Sequence, residues 1–317
     1  MNFSILGTGM SVPQRIVTND DLARLVDTND EWIRQRVGIA QRRVCTTETA
    51  TDLAVGAAEA ALADAGVRAE ELDLILSATV SGDNVSPSIA CMVQKRLGAT
   101  CPAYEINAAC AAFLFLLETA AGYFARGRVR RVLIVGAERL SGITDYTDRG
   151  TCVIFGDGAG AAVLGEGDGY TDSVLHVEGG DDVLCIPRHP GASPFYEVEP
   201  PAPFIHMKGQ DTFRFAVNAL TGDVETLLSR NALTADDIAF VVPHQANIRI
   251  IEFASRKLGI PMEKFVVNID RYGNTSSASI PIALDELAHS GKLRRGDRII
   301  LCAFGAGLAS AACLLTW

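Results

Sequence analysis

The chemistry of this chain begins at one cysteine. In Glu105-Ile-Asn-Ala-Ala-Cys110-Ala-Ala-Phe113 the thiol stands where a run of good helix formers, Ala111 to Ala125, begins. Unpaired backbone N–H groups and the positive end of the helix dipole favour thiolate over thiol at such a start. The flanking alanines leave room for a substrate, so Cys110 is the candidate nucleophile. Two more residues have suitable types. His244 follows an apolar strand in Phe240-Val-Val-Pro-His-Gln-Ala-Asn247. Asn274 precedes a small-residue helix in Tyr272-Gly-Asn-Thr-Ser-Ser-Ala-Ser-Ile-Pro281. A thiolate attacks a thioester carbonyl, and a His and an Asn can both donate hydrogen bonds to an oxygen that becomes negative. A donating pair without a carboxylate suits an enolate better than hydrolysis. Backbone amides at Cys110 and within Gly305-Ala306-Gly307 can form an oxyanion hole. Taken singly, a His after a strand is often structural and an Asn before a helix is often an N-cap. Their common placement makes them a set.

That placement comes from the elements around them. Phe3–Leu6 reads as a strand, and Gly7-Thr-Gly9 after it opens no helix, which excludes a dinucleotide fingerprint. Helix starts are expected at Thr18–Leu22, Asp30–Arg34 and Ser86–Ser88, with a long alanine-rich helix over Thr51–Ala65 closed by Gly66. Asp73–Thr79, Ala103–Asn107 and Arg131–Gly136 read as strands, as does Ile154–Leu164 around a glycine turn. Gly165–Pro203 is rich in Gly, Pro and Asp and reads as loops and strands of a cap. A helix is expected over Gly209–Asn231.

The second half resembles the first. Leu62–Leu76 matches Leu228–Val242 without a gap at an offset of 166, Gly127–Val135 matches Gly291–Leu301, and Gly158-Ala-Gly160 matches Gly305-Ala-Gly307. Three matches in one order imply a duplicated β/α unit, divided as residues 1–170 and 171–317. Nearly all-apolar strands imply sheets covered on both faces, so the fold class is α/β in stacked layers. At an offset of 164 Cys110 falls on Asn274, and at 166 His244 falls on Ala78. All three candidates then lie at strand-to-helix transitions, which converge on one crevice in such sheets.

Composition restricts the function classes. The 317 residues are 48% hydrophobic and 21% charged, with a formal charge of −10. That acidity argues against nucleic acid as a general partner. No apolar run approaches a membrane span, no basic n-region marks a signal peptide, and the eight cysteines form no CxxC pair, which together suggest a reducing cytoplasm. No His lies at zinc-finger spacing, and no metal site is expected. The remaining histidines, 176, 189, 206 and 289, have no placement near the set. Against this background Arg249, Arg256 and Lys257 share one face of a helix, and Arg214 and Arg36 extend it. The residues leave open a solvated face or a dock for an acidic protein.

The set Asn107-Ala-Ala-Cys110, Asp148-Arg-Gly150, Phe155-Gly-Asp-Gly-Ala-Gly160, Val242-Pro-His-Gln-Ala-Asn247 and Gly273-Asn-Thr-Ser276, together with Asp30-Glu-Trp-Ile33, resembles bacterial β-ketoacyl-[acyl-carrier-protein] synthase III of the thiolase-like superfamily. The resemblance runs end to end. It implies a homodimer of a five-layered α-β-α-β-α fold that initiates fatty-acid synthesis. An acyl-CoA primer acylates Cys110, and malonyl-carrier protein is decarboxylated to an enolate held by His244 and Asn274. No permanently bound cofactor is implied. Position by position, Thr28, Trp32 and Arg149 resemble the adenine end of the CoA site. Arg36, Gly209, Phe213, Ala246 and Asn247 resemble its phosphate and pantetheine tunnel, and Arg249, Arg214, Arg256 and Lys257 a carrier-protein dock. Two positions depart from the pattern. Ala306 replaces the middle glycine of the family's terminal Gly-Gly-Gly, so its amide serves only if its backbone angles suit a Cβ. Ser86 stands where acetyl-specific members often carry Phe closing the partner's acyl pocket, which implies longer or branched primers. The rivals are a secondary-metabolite ketosynthase with another acyl acceptor, a papain-like hydrolase whose framework is missing here, and a non-catalytic carrier-binding homologue.

Overall fold

The computed structural model describes residues 2–187, 194–195, 197 and 202–317. Two sheets carry the chain. The first runs, edge to edge, Asn2–Ser11, Gly158–Gly167, Arg131–Glu138, Leu74–Ala78 and Ala103–Glu105. The second runs Tyr170–Val177, Ala309–Thr316, Arg298–Gly305 and Phe240–Pro243 in the same spatial order. A fifth position of the second sheet survives only as a bridge between Val241 and Phe265.

Strands such as Leu74–Ala78, buried at every residue, require cover on both faces. Helices Ala50–Ala65 and Ile89–Leu97 cover the outer face of the first sheet, and Gly209–Arg230 and Ile248–Leu258 that of the second. Between the sheets lie Ala112–Ala125 and Ser279–His289, packed into one apolar cluster with strands of both halves. The result is the five-layered α-β-α-β-α stack. Small residues set the layer spacing. Gly7 and Gly9 lie under the helix Ala50–Ala65, and a Cβ on Gly9 would fall 2.3 Å from the Ala61 nitrogen. These glycines thus serve close helix-on-strand packing, which explains a Gly-Thr-Gly with no helix after it.

The duplication is visible element by element. Helix Ala50–Ala65, 3-10 turn Ala69–Glu71 and strand Leu74–Ala78 recur as Gly209–Arg230, Ala235–Asp237 and Phe240–Pro243. Three expectations are corrected. Tyr170–Val177 is no part of a cap: it pairs with Ala309–Thr316 as the edge of the second sheet. Only Leu184–Cys185, paired with His206–Met207, remains of the expected cap, and part of the 165–203 stretch, with His189, lies outside the described residues. The Gly158–Gly160 match also fails, because those residues are inside a strand whereas Gly305–Gly307 lead around a hairpin.

Candidate active site

Each half builds one sharp elbow before its central helix. In the first, Asn107 Oδ1 accepts the Ala109 N–H at 3.1 Å, Ala109 takes φ +47°, and Cys110 follows in a 3-10 turn. In the second, Asn274 Oδ1 accepts the Ser276 N–H at 2.8 Å, Ser276 takes φ +47°, and Ser277 follows in the same kind of turn. A left-handed backbone at a non-glycine residue is uncommon, so its occurrence in both halves fixes the register. The counterpart of Asn274 is therefore Asn107, and that of Cys110 is Ser277. The expected pairing of Cys110 with Asn274 was three residues out, because the repeat offset at the elbow is 167 rather than 164.

Each elbow rests on a strand of the other half. Gly305 lies so close under Cys110 that a Cβ there would fall 2.7 Å from the Cys110 nitrogen. Ala306 follows with an ordinary backbone, and the positive φ of +145° falls on Gly307. The replaced glycine is thus accommodated, and the Ala306 amide remains available. Across the pseudo-axis Gly136 makes the matching approach, 2.4 Å from Cβ to the Ser277 carbonyl oxygen. The glycines of Phe155–Gly160 have a related role. Asn274 is bridged to Phe155, its N–H donating to the Ile154 carbonyl at 2.9 Å and its own carbonyl accepting the Gly156 N–H at 3.0 Å.

His244 is buried, with Nδ1 2.6 Å from Ser279 Oγ and its ring edge-on to Phe304, centroids 5.2 Å apart. Burial holds its pKa down at about 3, so the imidazole is neutral. The Cys110 thiol donates to Ser276 Oγ at 3.3 Å. Burial pushes its pKa up to about 12, opposed by its hydrogen bond with Ser276 and reinforced by the charge of Glu138. Burial thus opposes the thiolate that the helix start was expected to favour. Glu138, fully buried, accepts from Thr79 Oγ1 at 3.1 Å, Val80 N–H at 3.1 Å, Ser277 Oγ at 2.7 Å and the Ser81 hydroxyl.

One cavity of about 840 Å³ joins these groups. Cys110, His244, Asn274 and Ala306 line it, as do Arg36, Gly209, Phe213, Ala246 and Asn247 and the arginines 214 and 249. It runs from exposed arginines to the buried His244 and Asn274. Thr28, Trp32 and Arg149 lie outside its wall but next to it, since the Trp32 ring is flanked by Arg149 at 4.8 Å and Arg36 at 6.0 Å. The buried Thr28 hydroxyl there has no partner among the described residues. Arg256 and Lys257 are exposed at the far end of helix Ile248–Leu258, the Lys257 ammonium donating to Thr221 Oγ1 at 2.9 Å. Ser86 sits on an exposed loop away from the cavity. Sequence reasoning quoted Asn107 and Ser276 in its motifs but gave them no role, and it missed Ser279 and Glu138. Glu138 had a legible signal, a carboxylate ending the apolar strand Arg131–Glu138.

A duplicated five-layer α/β stack whose cysteine, histidine and asparagine meet in one cavity defines a thiolase-like condensing enzyme. Family models described as 3-oxoacyl-[acyl-carrier-protein] synthase III match residues 104–182, and its C-terminal model matches residues 228–317. A Clostridium acetobutylicum β-ketoacyl-[acyl-carrier-protein] synthase III is 45% identical, over 99% of this chain and 98% of its own. The crystal structure of the Aquifex aeolicus synthase III superposes with a TM-score of 0.93 at 41% identity, covering 99% of this chain and 100% of the other. That from Thermus thermophilus gives 0.92 at 42%, covering 99% of each. The chain belongs to the β-ketoacyl-[acyl-carrier-protein] synthase III family, and it is an acyl-transferring condensing enzyme.

Proposed function

We propose that this chain condenses an acyl-CoA primer with malonyl-acyl-carrier protein, with Cys110 as acyl carrier and His244 and Asn274 as the enolate's hydrogen-bond donors. One observation carries this reading: the three side chains line the same cavity, which opens among arginines 36, 214 and 249. Pantetheine enters past Phe213, Gly209, Ala246 and Asn247, with its CoA adenine near Thr28, Trp32 and Arg149. The Cys110 sulfur attacks the thioester, and the amides of Cys110 and Ala306 hold the oxyanion. CoA leaves and malonyl-carrier protein takes its place, docked on Arg214, Arg249, Arg256 and Lys257. Loss of CO2 leaves a carbanion whose electrons delocalise onto the thioester oxygen. Ser279 Oγ accepts the Gln245 N–H at 3.4 Å and turns its own proton to His244 Nδ1, leaving an Nε2–H for that oxygen. Asn274, its Oδ1 committed to Ser276, has its NH2 to give. The enolate carbon attacks acyl-Cys110 and releases β-ketoacyl-carrier protein.

The enzyme needs no resident cofactor in this scheme; acyl-CoA is substrate and CoA product. We place it in the cytoplasm as a homodimer, in keeping with eight free cysteines and no described helix long and apolar enough to cross a membrane. The exposed Ser86 loop, with Val85 74% exposed, would then meet the partner and leave its acyl pocket deep, for primers longer or more branched than acetyl. Intact-protein mass spectrometry after incubation with acetyl-, butyryl- and isobutyryl-CoA tests the reading. Acyl adducts that vanish in Cys110→Ser are expected, and His244→Ala or Asn274→Ala should keep the adduct but stop condensation. Loss of acylation in His244→Ala would remove its enolate role as the main one, and strict acetyl preference would remove the deep pocket.

A further inference from the structure

The condensation chemistry leaves one buried cation unused. Arg42, on the short strand Gln41–Arg43, is 1% exposed and has no carboxylate partner among the described residues. Burial pulls its pKa down to about 10, so it stays charged at neutral pH. Burying a cation without a counter-charge is costly, and only neutral oxygens meet this one. Its Nη1 donates to Asn19 Oδ1 at 2.9 Å and to the Val17 carbonyl at 3.3 Å, and its Nη2 donates to the Val153 carbonyl at 2.9 Å. Asn19, equally buried, extends the connection: its Nδ2 donates to Asp30 Oδ1 and to the Ile39 carbonyl, both at 2.8 Å. These bonds end on the two sides of the Trp32–Arg149 pair. Asp30 opens the helix Asp30–Val37, which carries Trp32 and Arg36. Val153 ends the turn Arg149–Cys152, and the Arg149 guanidinium lies 4.8 Å from the Trp32 ring centroid. Ile33, Val37 and Ile39 from one side share an apolar cluster with Cys152 and Val153 from the other. The planar fork of a guanidinium holds both sides at once, where an ammonium is a single point.

We propose that Arg42 is a positioning residue for the nucleotide end of acyl-CoA: with Asn19 it sets the helix that carries Trp32 against the turn that carries Arg149. This inference rests on the placement of the CoA adenine near Thr28, Trp32 and Arg149. Arg42 does not line the cavity, so it acts through the spacing of those two elements and on substrates that carry a nucleotide. Its stem has a separate use. Cβ atoms on Gly156 and Gly273 would fall 3.1 and 3.4 Å from Arg42 Cβ, so the stem packs under the backbone that flanks Asn274. Lysine keeps most of that stem and loses the fork, which makes Arg42→Lys the informative substitution.

The test is acylation of the full chain by butyryl-CoA and by butyryl-pantetheine, the same thioester without the nucleotide, each followed by intact mass over a range of concentrations. Arg42→Lys and Asn19→Ala should each raise the half-saturating butyryl-CoA concentration by about 10-fold and leave the maximal acylation rate unchanged, the pattern of lost binding that ground and transition states share. Acylation by butyryl-pantetheine should match wild type in both variants. Equal losses with the two thioesters would show that Arg42 only supports the fold and overturn the proposal. So would wild-type saturation by butyryl-CoA. If Arg42→Lys loses its cooperative melt, Asn19→Ala, which leaves the Arg42 stem and its bond to Val153 in place, decides alone. Trp32→Ala tests the placement beneath the inference. Should that variant keep the wild-type preference for butyryl-CoA over butyryl-pantetheine, the adenine is misplaced and the proposal falls with it. Should Trp32→Ala lose the preference while Arg42→Lys keeps it, the adenine placement stands and the role of Arg42 is refuted.

Discussion

A neutral histidine that must present one N–H depends on whatever fixes its other nitrogen. In this site that is Ser279, 2.6 Å from Nδ1. Replacing Ser279 by Ala leaves a buried imidazole nitrogen unpaired and its tautomer free, a loss of about 1–3 kcal/mol. Condensation should therefore slow by about 10- to 100-fold in Ser279→Ala while acylation from acyl-CoA stays near wild type, measured by separate half-reaction assays. Equal loss in both half-reactions would mean that Ser279 merely supports the fold. At this scale the sequence was informative about reactive side chains and nearly silent about what holds them. Cys110, His244 and Asn274 stand out by type beside turns and strand ends. Ser276 and Ser279 do not, since a run of small hydroxyls before a helix has many structural uses. The pKa of Cys110 was unreadable for a different reason. It depends on how far the cavity excludes water, a property of both halves together that a dipole argument from one helix leaves out.

Elements meet here through glycines, and substituting them separates stability from catalysis. Gly9 lies beneath the helix Ala50–Ala65, where a Cβ would fall 2.3 Å from the Ala61 nitrogen and 2.5 Å from the Ala57 carbonyl oxygen. Gly9→Ala must lift the helix off the sheet and should cost about 1–3 kcal/mol, seen as a lower urea midpoint with acylation per folded molecule unchanged. Gly305→Ala instead presses on the Cys110 backbone, with contacts of 2.7 Å to its nitrogen and 3.2 Å to its Cβ. Acylation should fall by about 10²-fold, since displacing a reacting group by an ångström costs that much. A Gly305→Ala enzyme that acylates at the wild-type rate would show that the elbow yields freely. The helices and strands themselves were largely legible, through starts such as Ser88 and stops such as Gly66. Tyr170–Val177 was not. It is only half-buried at the edge of its sheet, and it lies within a glycine- and aspartate-rich stretch that resembles a loop.

Over the whole molecule, the central layer belongs to neither half. Phe3, Leu76 and Phe113 from one half share an apolar cluster with Leu284, Leu301 and Cys313 from the other. Residues 1–169 expressed alone should leave this face bare and bind hydrophobic dye without a cooperative melt, and co-expression with the remainder should restore acylation. A cooperatively melting first half would refute the shared core. A polar seam closes the same contact at one edge, where His289 lies 3.4 Å from Asp64 and 3.2 Å from Asp285. The Asp285 carbonyl, then the two carboxylates, raise the His289 pKa above its ordinary value. The stability this contributes is fully present below the unfolded histidine pKa, about 6.5, and is lost as pH rises through the higher folded value. The melting temperature of His289→Gln should fall below wild type by more at pH 5.5 than at pH 8.5. The duplication was readable along the helices, where its register holds, and misleading at the elbows, where it shifts. With that shift resolved, Glu138 and Gly305 occupy the same place in the two halves, each facing the other half's elbow. Both elbows rest on a glycine, Gly136 under Ser277 and Gly305 under Cys110, but only the Ser277 elbow also meets a carboxylate, Glu138, which ties its serine down at 2.7 Å. The two halves therefore differ in reactivity by what stands opposite as well as by sulfur against oxygen. A cysteine placed at Ser277 would gain a nucleophile's posture and still have nowhere to receive an acyl group.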